Sequence, residues 1–259
     1  MHRTKKITGW LLLFATAYLF FFVAEIPAAR AWSYLSGKGY IKMDGIKFSS
    51  IEGSWLNGRL SGVSYKGFDL GDLTWRLHTL PLLLGRINLN VEDKSPVGQL
   101  TGKVSMQRTS LIIRDLSGTV HANLMKNFAP LKGLDITGDF VAKGLGVALR
   151  EGIPVTGEGQ LVWREAGIGA PYELNLGGIQ AELSSGRDEL VIKLTDLGGN
   201  LAASGTCNVK PDGTYILNGS AGSRDGGSSK LSSFIQVLGE PGPDGRIRIS
   251  HKGQLSPLL

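Results

Sequence analysis

The side chains best suited to chemistry in this 259-residue chain are few and dispersed. Acids cluster as Glu92-Asp93, as Asp188-Glu189 and as Asp69 with Asp72. A glycosidase pair would set two carboxyls across a cleft, one of them in an apolar setting. These acids stand beside each other in turn-like segments, where solvated loop carboxylates are the expectation. The histidines, His2, His78, His121 and His251, are isolated from one another. A single cysteine, Cys207, excludes a disulfide scaffold, a two-thiol redox pair and a Cys-rich zinc module. A protein-held transition metal is not expected from such a donor set. The chain has no Gly-x-Ser-x-Gly elbow and no P-loop, and Gly157-Glu158-Gly159 and Gly144-Leu145-Gly146 lack the third glycine of a dinucleotide cradle. No catalytic residue, cofactor or metal ligand is nominated.

Charge narrows the partners. Lysine and arginine number 28 against 22 acids, a net charge of +6. The basic residues are spread along the chain and not interleaved with stacking aromatics, so nucleic acid is not an expected partner. Anionic lipid headgroups or an acidic partner fit the balance better. Trp55, Trp75 and Trp163 could hold a ligand, but on alternating strands tryptophan more often packs the sheet.

The first element to position is N-terminal. A basic head, residues 1–6, precedes an apolar run from Ile7 to Ala24. That length lies at the lower edge of the roughly 17–25 residues of a spanning helix and above the usual signal-peptide core. Ile7, Trp10, Leu12, Phe14, Leu19, Phe21 and Val23 are its anchor residues, with Trp10, Trp32 and Tyr34 where interfacial aromatics belong. Ala29-Arg30-Ala31 has the form of a cleavage site, so a cleaved signal is the rival reading. Either way the remainder is exported. The expected organisation is a cytoplasmic head (1–6), an anchor (7–24), a connector (25–38) and a β-rich periplasmic domain (39–259).

Within that domain the pattern is two-residue alternation. Leu73, Trp75 and Leu77 share one face, as do Ile87, Leu89 and Val91, then Leu190, Ile192 and Leu194, and finally Ile247 and Ile249 between Arg246, Arg248 and Ser250. The expected fold is mainly β, a mostly antiparallel sheet free to curve, with one or two short helices. Lys210-Pro211-Asp212-Gly213-Thr214, followed by Tyr215, predicts a hairpin turn, and Gly242-Pro243-Asp244-Gly245 repeats its chemistry. Asp115-Leu116-Ser117-Gly118, Gly177-Gly178, Ser185-Gly186-Arg187-Asp188 and Gly198-Gly199 read as further turns. These segments account for 37 glycines, about twice the usual 7%. Leu231, Phe234, Ile235 and Leu238 predict a short helix over 228–238. Asn123 to Leu131 is a weaker helix, and Gly219 to Lys230 reads as a flexible loop.

The order of these segments resembles the type II secretion system protein N family, also called general secretion pathway protein N. The resemblance begins with the basic head and an anchor ending in Ile26-Pro27-Ala28, then Gly53-Ser54-Trp55-Leu56-Asn57-Gly58, where Trp55 stands one place early against the family element. It continues through Gly71-Asp72-Leu73-Thr74-Trp75-Arg76-Leu77 and Pro81-Leu82-Leu83-Leu84-Gly85-Arg86. The C-terminal half fits best, from Leu194-Thr195-Asp196-Leu197-Gly198-Gly199-Asn200-Leu201 to Asp212-Gly213-Thr214-Tyr215, Asp244-Gly245-Arg246 and Gly253-Gln254-Leu255. The resemblance implies a non-enzymatic accessory component of the machine that exports folded proteins from the periplasm. Such a component is anchored once in the bacterial inner membrane and docks other secretion proteins through its β domain. Trp55, Trp75, Trp163, Asp212, Gly213 and Tyr215 are its docking or structural candidates. The alternative is an AsmA-like or LptC-like lipid-binding protein, whose apolar strand faces would form an open groove for a lipid ligand.

Overall fold

Among the described residues of the computed structural model, the alternation becomes one fourteen-stranded antiparallel sheet. The structure describes residues 18, 22–37, 46–65, 68–82, 85–95, 98–107, 109–125, 135–224, 229–238 and 240–256. The anchor residues Ile7, Trp10, Leu12, Phe14, Leu19 and Phe21 lie outside them. Among the described residues no helix is long and apolar enough to cross a membrane.

Strand order follows chain order. From β3 (Asn57–Tyr65) each strand pairs with the next: β4 (Phe68–Leu77), β5 (Ile87–Ser95), β6 (Gly98–Gln107), β7 (Ser110–His121), β8 (Ile136–Arg150) and β9 (Ile153–Ile168). The series continues through β10 (Leu174–Ser185), β11 (Leu190–Asp196), β12 (Leu201–Val209), β13 (Thr214–Ser223) and β14 (Arg246–Gln254). Before β3, the short β1 (Ile46–Lys47) and β2 (Ser50–Gly53) lie end to end along its outer edge. A helix at Ala28–Gly37 covers this edge, where Pro27 bridges Ser54 and the Trp32 ring meets Phe48 edge-on at 5.2 Å. The connector is therefore helical and docked.

Directly opposed residues share a sheet face, so the register can be followed strand by strand. Leu77, Leu89, Val104, Ile113, Val147 and Gly157 form one continuous row from β4 to β9. Leu183, Ile192, Cys207 and Leu217 form another across β10 to β13. This face is mainly apolar, whereas the other carries rows such as Arg59, Thr74, Glu92 and Thr101.

Toward its C-terminal end the sheet curls around the apolar face. A Cβ on Gly157 of β9 would stand 2.8 Å from Leu190 Cδ1 of β11, and one on Gly213 would stand 3.2 Å from Ile153 Cδ1. One end of the curl is filled by a helix at Ser229–Leu238. Its Leu231 and Ile235 are buried with Ala166, Ile168, Leu174, Leu176 and Ile247, so β9, β10 and β14 meet around it. The small side chains of β12 and β13 suit this curvature, with Gly205 and Gly219 directly opposed.

Some expected turns prove to be something else. Asp115 to Gly118 lies inside β7, and Gly177-Gly178 lies inside β10, each where the pairing register shifts. Asp115 (φ 55°) and Gly177 (φ 99°) are bulge residues, so the positive-φ signal is real while the chain does not reverse there. The loop expected over Gly219 to Lys230 is also shorter, because β13 continues to Ser223 and the helix begins at Ser229. The weaker helix is a 3-10 turn, Ala122–Met125, and residues 126–134 lie outside the described chain.

Candidate interaction surfaces

Alternation along β5 carries one residue that does not match its face. Asp93 lies in the row of Ile87, Leu89 and Val91, directly opposite Leu73 on β4 and Leu100 on β6. Its Oδ1 is buried without a hydrogen-bond partner. Burial, assisted by the charge of Asp72, pushes this carboxyl up to about 6. The group therefore opposes folding when ionised, and that opposition fades as pH falls from about 6 toward the ordinary value near 4. Asp93→Leu is expected to raise stability at pH 7 by about 1 kcal/mol, discounted for the solvent that reaches the carboxylate. The gain should shrink at pH 4, where the native carboxyl is already neutral. Urea melts of both proteins at the two pH values check this, and equal midpoints at pH 7 would contradict it.

The nominated tryptophans do not converge on one site. Trp55 acts as a latch: its Nε1–H donates to the Val23 carbonyl at 2.7 Å and its backbone N–H to Ile26 at 3.1 Å. Its own carbonyl accepts the Trp75 Nε1–H at 3.1 Å. Trp75 lies over Gly58, directly opposite on β3, where a Cβ would collide with the indole. Trp163 stacks on Phe140 with centroids 5.3 Å apart and donates to the Thr137 carbonyl at 2.9 Å, packed against the helix-filled core. Each indole thus has a satisfied N–H, and Trp75 and Trp163 each have a packing partner. Val23, the anchor candidate within the described residues, is helical and exposed.

Asp212, Gly213 and Tyr215 do fall together, at the β12–β13 hairpin. Asp212 Oδ1 accepts the Thr214 N–H at 2.8 Å, which holds its carboxyl below the usual range, and Gly213 takes φ 85°. Tyr215 faces His251 across the strand pair at 5.7 Å between centroids. Gln254 Nε2 donates to the Asp212 carbonyl at 2.5 Å, tying the end of β14 to this turn. Sequence spacing did not show that last contact, which joins residues forty-two positions apart.

The polar face of β3 to β7 holds an open depression of about 870 Å³ lined by Asn57, Thr74, Arg76, Asn90, Glu92, Thr101, Lys103 and Asp115. Lys103 pairs with Asp115 at 2.7 Å across it. Among the described residues, no three histidine, cysteine or acidic side chains gather as a metal site would require. His121 pairs with its cross-strand partner Asp139. Cys207 sits on the apolar face between Ile192 and Leu217, and burial pushes its thiol up, away from reactivity.

The two edges of the sheet differ. The β1/β2 edge is broken, short and covered, while β14 pairs with β13 over nine unshifted positions, Arg246 to Gln254, and with no other strand among the described residues. The sequence showed the alternation of β14 but not that it ends the sheet.

A family profile described as type II secretion system (T2SS), protein N, matches residues 44–250. The chain is 25% identical over 262 residues to the type II secretion system protein N of Vibrio cholerae serotype O1, covering 97% of this chain and 100% of that protein. Neither match is to a lipid-handling group. No solved structure matches the chain.

Proposed function

The chain belongs to the type II secretion system protein N family, and from that premise we propose that it is a non-enzymatic, inner-membrane-anchored component of the secretion machinery. In this reading residues 7–24 hold the bilayer from the cytoplasmic side and residues 39–259 stand in the periplasm. The sheet docks other secretion proteins of the inner membrane or periplasm. The observation that carries the reading is coincidence: the matched span, 44–250, is the sheet itself, β1 through most of β14. What the family shares is therefore a surface built from strands.

A sheet on one anchor suits assembly work. Its strands are positioned by their neighbours, its connector is latched by Trp55, and its polar face offers hydrogen-bonding side chains over a wide area. Deleting the chain in its native host is expected to leave a folded secretion substrate in the periplasm, with restoration by a plasmid copy. Fractionation of medium, periplasm and membranes with an activity assay checks this. Unchanged secretion in the deletion strain would overturn the reading, and release of the full-length chain by alkaline carbonate would overturn the anchor.

A further inference from the structure

We propose that β14 is a docking edge for one extended segment of a partner protein in which acidic and apolar side chains alternate. The proposal rests on the reading of the chain as an assembly component and names the surface and the chemistry of the partner.

The backbone supplies the first argument. The Leu255 N–H donates to the Gly213 carbonyl at 2.9 Å, which fixes the phase of the β13–β14 ladder. In antiparallel pairing, alternate residues point their N–H and C=O away from the neighbour. These residues on β14 are Arg246, Arg248, Ser250, Lys252 and, at its end, Gln254. Arg246 is already satisfied, because its carbonyl accepts the Gly242 N–H at 2.8 Å and its N–H donates to Asp244 Oδ1 at 3.2 Å. From Arg248 to Lys252, no backbone partner among the described residues covers the outward groups. That segment is about 14 Å of regular strand.

Side chains supply the partner's chemistry. Arg248 and Lys252 lie exposed on the polar face of this edge, and neither has an ion-pair partner among the described residues. Ile249 and His251 lie between them on the other face, where Ile249 remains 37% exposed, while Ile247 is buried under the helix. An added strand meets these two rows in alternation, so it needs acids opposite Arg248 and Lys252 and apolar side chains opposite Ile249. A second copy of β14 fits poorly. Antiparallel self-pairing centred on Ser250 would set Arg248 directly against Lys252, a like-charge contact. The basic residues thus act twice, barring self-association of an open edge and selecting an acidic strand.

Ser250→Pro tests the claim, because the Ser250 N–H points outward and its loss leaves the β13 backbone ladder intact; Ser250→Ala, which loses only the Oγ–H bond to Asn218 Oδ1 (3.0 Å), is its control. The test uses the full chain in its native host, with a control probe at Glu52 on the covered edge and a photo-cross-linking residue at Gln254, where the side-chain bond to the Asp212 carbonyl is given up while the Leu255 N–H bond to Gly213 keeps the end of β14 in place. The expected result is a protein adduct at Gln254 and none at Glu52. Its cross-linked peptide should alternate acidic and apolar residues, and the adduct should disappear in Ser250→Pro. Should Ser250→Pro lower the protein's protease resistance, Arg248→Glu with Lys252→Glu replaces it, with an expected loss of about tenfold in adduct yield. Four outcomes overturn the proposal: an adduct to lipid or to a second copy, a peptide without the alternation, no adduct at Gln254, or an adduct unchanged by the variants. Secretion separates the two levels. If deletion abolishes secretion and both edge variants secrete normally, the edge proposal fails and the component reading stands. If deletion changes nothing, the component reading fails.

Discussion

Leu231→Ala is expected to destabilise the protein by about 3–5 kcal/mol, the upper range for a truncated core leucine. Leu231 is 1% exposed and sits among Ile168, Leu174, Leu176 and Ile247, residues of three different strands. The site cannot collapse easily, since the strands on each side are held by their own ladders, so a cavity remains. The helix has a further weakness. At ten residues it is too short to persist alone in water, and its hold on the sheet comes from one face carrying Leu231 and Ile235. Loss of Leu231 should therefore free the helix before the sheet melts. Urea titration read by tryptophan fluorescence, which senses Trp163 beside this core, checks the size of the effect. Ser233→Ala on the exposed face of the same helix should stay within about 0.5 kcal/mol. Equal midpoints for Leu231→Ala and Ser233→Ala would show that the helix is not part of the core.

Gly118→Val should be nearly as damaging for a different reason. Gly118 has φ 142°, and a Cβ there would collide with the Gln99 carbonyl oxygen on β6 and stand 2.9 Å from its carbon. Both objections are backbone against backbone, so no rotamer change relieves them. Valine is among the best strand formers, so intrinsic preference predicts a neutral or helpful change. The structure predicts a loss of more than about 4 kcal/mol, the range reserved for strain or disrupted cores. Thermal unfolding checks it, and a Tm within about 2 °C of the native protein would refute it. Because Gly118 is paired on both sides, with Leu100 of β6 and Ala142 of β8, the change should also expose the β6–β7 hairpin to proteolysis.

Much of the architecture was legible because the sheet obeys one local rule. Leu190, Ile192 and Leu194 alternate in sequence and share the apolar face of β11, and Pro211-Asp212-Gly213 makes the turn its chemistry requires. The helix over 229–238 follows from four apolar residues at helical spacing. The failures are also local. Positive φ serves turns and bulges alike, so Asp115 to Gly118 and Gly177-Gly178 looked like chain reversals while lying in mid-strand. Gly219 and Ala221 looked like linker composition. Their smallness is needed where β13 pairs closely with Gly205 and Ala203.

Asp93 shows a different limit. Paired with Glu92 in sequence, it suggested a solvated turn, yet alternation with Leu89 and Val91 places it on the apolar face. Which signal wins depends on the strands either side, and these are set by register. The same holds for β14, whose alternation was evident but whose position at the end of the sheet depends on every pairing before it. Trp55 stands out in the sequence by its type and by its place, one position early, in the Gly53–Gly58 element. Its role as a latch depends on Val23, thirty-two residues earlier.

From β3 onward, every strand in this sheet neighbours its predecessor in the chain. Such a molecule pairs each strand with its neighbour in the chain, mostly across short loops, which places it among the faster-folding topologies for its strand content. Chains are delivered N-terminus first, so each strand, as it is delivered, finds its template already waiting as the last edge laid down. The sheet can grow one hairpin at a time without waiting for distant segments, and no intermediate length exposes more than a single growing margin. Latching of the Ala28–Gly37 helix onto β2 supplies the fixed starting margin, and β14 is the point at which growth from within the chain stops.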